Sequence, residues 1–204
     1  MDCKVISISR ALAAGGEEIG RDVASRLDFR FVDDEIIARA AHKAGVSPQT
    51  MEKVERKQPL IERILQYMGT VPVDSAGYLP PPSVTPAYEG LIEQVIRETA
   101  NQGNVVIVAH AASIPLAGMP GLLRVLVTGS PEARVARLAS APEMNDRKAK
   151  KAIDDSDHER GNYLQRFYNV REELPTHYDI VLNTDVLSFA AAADLIAAAA
   201  KSRI

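Results

Sequence analysis

The sequence predicts an α/β protein built on a doubly wound parallel sheet, and three observations carry that prediction. Short apolar, β-rich runs alternate with longer stretches of helical periodicity along the 204 residues, the pattern of a parallel sheet covered on both faces. There are five such runs, and the first leads through a glycine pair into a helix. Hydrophobic residues make up 46% and charged residues 25%, which suits one soluble globular unit and excludes a disordered or collagen-like chain.

Lys4–Ser9 reads as the first strand, and Glu17–Leu27 as a helix with Ile19, Val23 and Leu27 on one face. Phe29–Val32 is a brief second strand. Asp33 can cap a helix running to Ala44 with Ile36, Ile37 and Ala40 inward. Ser47-Pro48 pairs a capping residue with proline at the first helical position, so a further helix starts there. Gly69–Pro86 holds five prolines and two glycines and reads as a loop inserted in the domain. Ala87–Ala100 returns to helix. Val105–Ala109 and Leu123–Thr128 are strands three and four, and Ser130-Pro131 opens the next helix. Residues 145–171 are charged and mostly helical. Ile180–Leu182 is strand five, and Ser188 caps an alanine-rich closing helix.

Composition also limits function. The net charge of −3 and the lack of interleaved aromatic and basic residues argue against nucleic acid as partner. Cys3 is the single cysteine and the four histidines are scattered, so no metal site is expected. Gly103–Leu123 carries no charged residue, yet His110, Pro115 and Pro120 interrupt it; a buried strand and a loop fit better than a membrane span. The reading is a cytoplasmic protein, and self-association into a homo-oligomer stays open.

In doubly wound sheets ligands bind beyond the carboxyl ends of the strands, which singles out Arg10–Gly16, Asp33, 109–113 and Gly129. Gly15-Gly16 before a helix can aim backbone N–H groups at a phosphate, although such a pair also makes a plain turn.

Several segments, in order, resemble the cytidylate-kinase-like family. They include Ile6-Ser7-Ile8-Ser9-Arg10, Gly15-Gly16, Glu18-Ile19-Gly20 and Phe31-Val32-Asp33-Asp34-Glu35. Gly103–Val108 and Glu132-Ala133-Arg134-Val135 continue the likeness. Asp157-x-x-Arg160-x-x-Tyr163-x-x-x-Phe167-Tyr168 and His177–Thr184 carry it most clearly. The resemblance implies a three-layer P-loop fold with five parallel strands in order 2-3-1-4-5, and a helical lid at about 130–171. It also implies transfer of the ATP γ-phosphoryl group, with Mg²⁺, to a nucleoside monophosphate, CMP or dCMP first. On that pattern Gly15 and Gly16 would receive donor phosphates. Arg10, Asp33, Arg39 and Asp157 would bind nucleotide, and Arg137 and Arg160 would close over the transferring group.

Departures from the family pattern leave a second reading open, a catalytically impaired relative that binds nucleotide or protein partners. Glu17 and Glu18 stand where P-loops place lysine and Ser/Thr, and the family's Gly-Ser-Gly-Gly-Arg is Ala13-Ala14-Gly15-Gly16-Glu17. An acid about 5 Å from a phosphate costs on the order of 3 kcal/mol at an effective dielectric of 20. Both glutamates also suit the first turn of a helix. After strand three the family's Gly-Arg-Gly-Ala is Ala109-His110-Ala111-Ala112, which removes an acceptor arginine and leaves His110 as a candidate contact. Asp157 and Arg160 lie three apart, which by spacing alone would make a surface ion pair.

Overall fold

The computed structural model describes residues 2–49, 86–108 and 111–202. The strands are β1 (Val5–Arg10), β2 (Arg30–Val32), β3 (Val105–Val108), β4 (Leu122–Thr128) and β5 (Ile180–Asn183). The helices are α1 (Gly16–Leu27), α2 (Glu35–Ala44), α3 (Pro86–Asn101), α4 (Pro131–Ala139), α5 (Asp146–Tyr168) and α6 (Phe189–Lys201). All five strands are parallel, in the order β2-β3-β1-β4-β5. That is the architecture and strand order implied by the resemblance.

The central strand β1 lies between β3 and β4, with Ile8 in register with both Val108 and Val125. One sheet face offers Ile6, Ile8, Val106 and Val125 to Ile19 and Val23 of α1 and Ile196 of α6. The other offers Val5, Val32 and Ile107 to Ile36 of α2 and Ile92 and Ile96 of α3. A third, smaller cluster joins Leu12 of the loop after β1 to Ala152 and Ile153 of α5 and to Val135 and Leu138 of α4. Burying a leucine side chain stabilises by about 2 kcal/mol, so Leu12 fastens α4 and α5 to the carboxyl edge of the sheet.

Most sequence boundaries in the described residues hold within one or two residues, the charged helix ending three residues before 171, and differences have local causes. Asp34, not Asp33, occupies the N-cap of α2, and its side chain makes no capping bond. Ser130, Asn145 and Ser188 do cap α4, α5 and α6, accepting from Ala133, Lys148 and Ala191. Helix α5 stops at Tyr168 because Asn169 turns left-handed, with φ of 54°. Pro48 and Gln49 are helical, while the rest of that predicted helix and residues 69–85 lie outside the described residues. Between β3 and β4 the chain makes turns with Ala112, Ser113 and Leu116 buried, and no described helix is long and apolar enough to cross a membrane.

Candidate nucleotide site

The chain leaves β1 at Arg10 and turns back so that the Ala14 N–H donates to the Ala11 carbonyl at 3.1 Å. Gly15 then forms the N-cap of α1 with φ of +85° and provides no side-chain cap. First-turn amides without a capping side chain can serve an anion. Two glycines are needed here for different reasons. At Gly15 a Cβ would collide with three carbons of the Phe189 ring, besides adopting an unfavourable φ. At Gly16 it would lie 2.5 Å from Cβ of Arg10.

Arg137 reaches the same loop from α4. Its Nη1 donates to the Ala13 carbonyl at 3.3 Å and to Thr184 Oγ1 at 3.1 Å, and its Nη2 donates to the Thr184 carbonyl. The guanidinium also lies 5.5 Å from the centre of the Phe189 ring, within cation–π range. Thr184 is buried after β5, and its hydroxyl lies 3.1 Å from the carbonyls of Ala14 and Thr128. Arg137 thus lies beside the loop, bonded to one loop carbonyl, that of Ala13, and to Thr184 after β5.

A cleft of about 270 Å³ opens between the carboxyl ends of the central strands and the second half of α5. Ala11 and Thr128 line it on the sheet side, and Arg134, Asp157, Arg160, Arg171 and Glu173 surround it. The spacing-based pair Asp157/Arg160 does not form. Arg134, 4% exposed, takes Asp157 in a two-pronged bond at 2.9 and 2.6 Å and donates its Nε to the Gly129 carbonyl at 3.1 Å. Arg160 instead grips Glu173, with Nε at 2.7 Å and Nη2 at 2.5 Å from the carboxylate oxygens. The reason is topological. Residues three apart on α5 share a face, but that face meets α4 and the 170–173 segment, whose charges satisfy each residue separately.

Burial opposes the charge on Arg160, but the hydrogen bond and charge of Glu173 together with Tyr178 outweigh it and hold the guanidinium more firmly protonated than usual. Burial likewise pushes the Glu173 carboxyl up, and the Arg160 hydrogen bond and charge bring it below its ordinary value. Tyr178 donates its hydroxyl to Glu173. Its own pKa is raised by burial and by the Glu173 charge.

The acceptor-side candidates are farther along the sheet. Arg39 donates to Thr99 Oγ1 at 2.8 Å and pairs with Glu98 at 3.5 Å, which ties α2 to α3. The Asp33 carbonyl accepts from Ile36. Neither Arg39 nor Asp33 lines the cleft. His110 lies outside the described residues.

The sequence profile of the cytidylate kinase-like family matches residues 5–186. The chain belongs to the cytidylate kinase-like family. No curated protein matches it. Among solved structures, an uncharacterized protein from Eubacterium ventriosum is 16% identical with a TM-score of 0.71, over 98% of this chain and 99% of that one. A shikimate kinase from Bacteroides thetaiotaomicron is 14% identical with a TM-score of 0.52, over 95% and 96%. A shikimate kinase from Acinetobacter baumannii, solved with shikimate, is 12% identical with a TM-score of 0.51, over 95% and 90%. At such identities the likeness shows the fold. Membership of the family makes this a nucleotide-binding, kinase-like protein.

Three residues of this neighbourhood escape sequence reasoning, and Arg134 reads as a lid cation beside Arg137 rather than as the partner of Asp157. Thr184 lies inside a family motif without a role of its own, and Phe189 reads only as the start of the closing helix. Glu173 gave no signal, since it is 13 residues from Arg160 in irregular chain. Magnesium fits this site only as part of its substrate complex. Glu18 replaces the usual hydroxyl, and no three His, Cys, Asp or Glu converge among the described residues. Mg²⁺ commonly keeps water and substrate phosphates as most of its ligands.

Proposed function

We propose that this family member is a cytoplasmic nucleoside-monophosphate kinase of low turnover, binding MgATP at the Gly15–Gly16 end of α1 and CMP or dCMP in the adjoining cleft. The observation that carries this reading is the cleft itself. It places Arg134, Arg160 and Arg171 around Ala11, the first residue of the loop that leads to α1. Phosphoryl transfer is mostly positioning and electrostatics, so cations gathered at the loop's edge are the equipment the reaction needs. In this reading Gly15 and Gly16 amides hold the donor phosphates, Arg137 and Arg160 stabilise the transferring group, and Asp157 orients the acceptor, while Asp33 and Arg39, outside the cleft, take no direct part. Low turnover follows from the bonds already made. Arg137 must leave the carbonyls of Ala13 and Thr184, and Arg160 must share Glu173, before either can serve a phosphate.

A second reading, nucleotide binding without transfer, draws on the same engaged arginines and on Glu17 at the lysine position. A coupled phosphotransfer assay with MgATP across the nucleoside monophosphates separates the two. The first reading expects slow CMP- or dCMP-dependent ADP formation. Measurable ATP binding with no ADP formation above background, whichever monophosphate is added, selects the second.

A further inference from the structure

The loop lacks its usual cation at position 17, and the structure places another one against it. Arg10 ends β1, where its backbone is fixed in register with Val127 of β4, and its carbonyl accepts from Arg160 Nη1 at 3.3 Å. Its side chain crosses Gly16. The position a Cβ would take there is 2.5 Å from Arg10 Cβ and 3.0 Å from its Cγ and Cδ, so the path exists only because residue 16 is glycine. Beyond Gly16 the guanidinium forms an ion pair with the Glu17 carboxylate. The two partners are unequally held: the arginine side chain is 12% exposed and the glutamate 40%.

We propose that Arg10 is the phosphate-loop cation of this protein, and that Glu17 holds its guanidinium over Gly16 until a nucleotide phosphate displaces the carboxylate. The inference rests on the nucleotide-binding reading above and adds which residue carries the charge. A phosphate group offers more charge than one carboxylate and several oxygens to the guanidinium fork, so it can compete for Arg10. The carboxylate, being the exposed partner, can swing to solvent while remaining in the first turn of α1, where the helix dipole favours it. Glu17 therefore acts through Arg10 as a positioning residue. Position 17 lost its cation without emptying the loop of positive charge.

A double-mutant cycle tests this, using MgATP titrated calorimetrically into the full-length protein. Arg10→Gln should weaken binding about tenfold or more, the loss of one charge-assisted contact. Glu17→Gln should tighten it several-fold, since phosphate no longer competes for the guanidinium. In the double variant that gain should vanish. If Glu17→Gln tightens binding equally with and without Arg10, the glutamate acts by direct repulsion and the proposal is overturned. Unchanged affinity in Arg10→Gln overturns it too. Should Arg10→Gln fail to fold, Arg10→Met, which keeps an unbranched stem across Gly16 without the charge, serves in the cycle, and an undiminished gain from Glu17→Gln counts against the proposal in the same way. If no variant binds MgATP at millimolar concentration, the nucleotide-binding reading itself falls and takes this inference with it.

Discussion

Arg160 and Glu173 face each other fork to fork, with both carboxylate oxygens within 2.5–2.7 Å of guanidinium nitrogens. Tyr178 closes the group by donating to the same carboxylate. The pair joins the middle of α5 to the segment before β5, and through the Arg10 carbonyl to the end of β1.

Arg160→Ala is therefore expected to destabilise the fold as well as any reaction. It leaves the half-buried Glu173 charge unpaired, at a cost of about 2–4 kcal/mol, somewhat below a fully buried pair. At about 2–4 °C per kcal/mol for a chain of this size, the melting temperature should fall by roughly 5–15 °C. Arg160→Lys should recover only part, because an ammonium cannot grip both oxygens in a planar fork. A thermal scan showing no change for Arg160→Ala would mean that the pair contributes nothing in solution.

The same pair sets an acid limit. The folded-state pKa of Glu173 is held below its ordinary value of 4.5, so the unfolded chain takes up the proton first as pH falls. Its stabilising contribution is whole above the unfolded value and is lost as pH drops through the folded one. Urea unfolding followed between about pH 6 and about pH 3 should show a steeper loss in wild type than in Glu173→Gln. Parallel curves would assign the acid sensitivity to other carboxylates, such as Asp179 beside Arg124.

Arg134 and Asp157 make a second clasp, between α4 and α5. Arg134 is only 4% exposed but the Asp157 side chain is 43% exposed, so Asp157→Asn removes a counter-charge that water partly screens and should cost about 1–2 kcal/mol. Replacing both, as Arg134→Met with Asp157→Leu, should cost less than the sum of the single changes. Chemical denaturation of the four proteins measures the coupling, and strict additivity would show that the clasp is not a unit.

Gly15 and Phe189 couple the phosphate loop to the closing helix. Gly15→Ala meets two penalties, a left-handed φ worth about 1–2 kcal/mol and the collision with the Phe189 ring. Phe189→Ala in that background removes the collision but not the φ penalty. The double variant should thus be more stable than the two single losses predict, by about 1 kcal/mol or more. Equal losses from Gly15→Ala in both backgrounds would show that the ring moves aside freely.

Much of the architecture is legible in the sequence because it is written in local patterns. Ile19, Val23 and Leu27 mark the inner face of α1 by spacing alone, and Ser130-Pro131 and Ser188 mark helix starts by capping chemistry. Apolar runs such as Val105–Val108 announce strands buried on both sides. The parallel order needed the ordered motif set as well, since alternation fixes the class of sheet but not which strand is central.

Partner choice was not legible. By sequence, Asp157 and Arg160 belonged together, and Glu17 was an acid in a first helical turn. Tertiary structure gave Asp157 to Arg134, Arg160 to Glu173 and Glu17 to Arg10, over separations of 23, 13 and 7 residues. Helical periodicity says which side of its own helix a residue occupies. It cannot say which charge from another element will lie opposite, because ion pairing is decided by which chain segments the core brings together. The sequence alone thus determined the α/β class, the helix and strand limits and the glycine turn into α1. The packing of α4 and α5 against the sheet edge, fastened by Leu12, decided which of its arginines are committed and which carboxylates commit them.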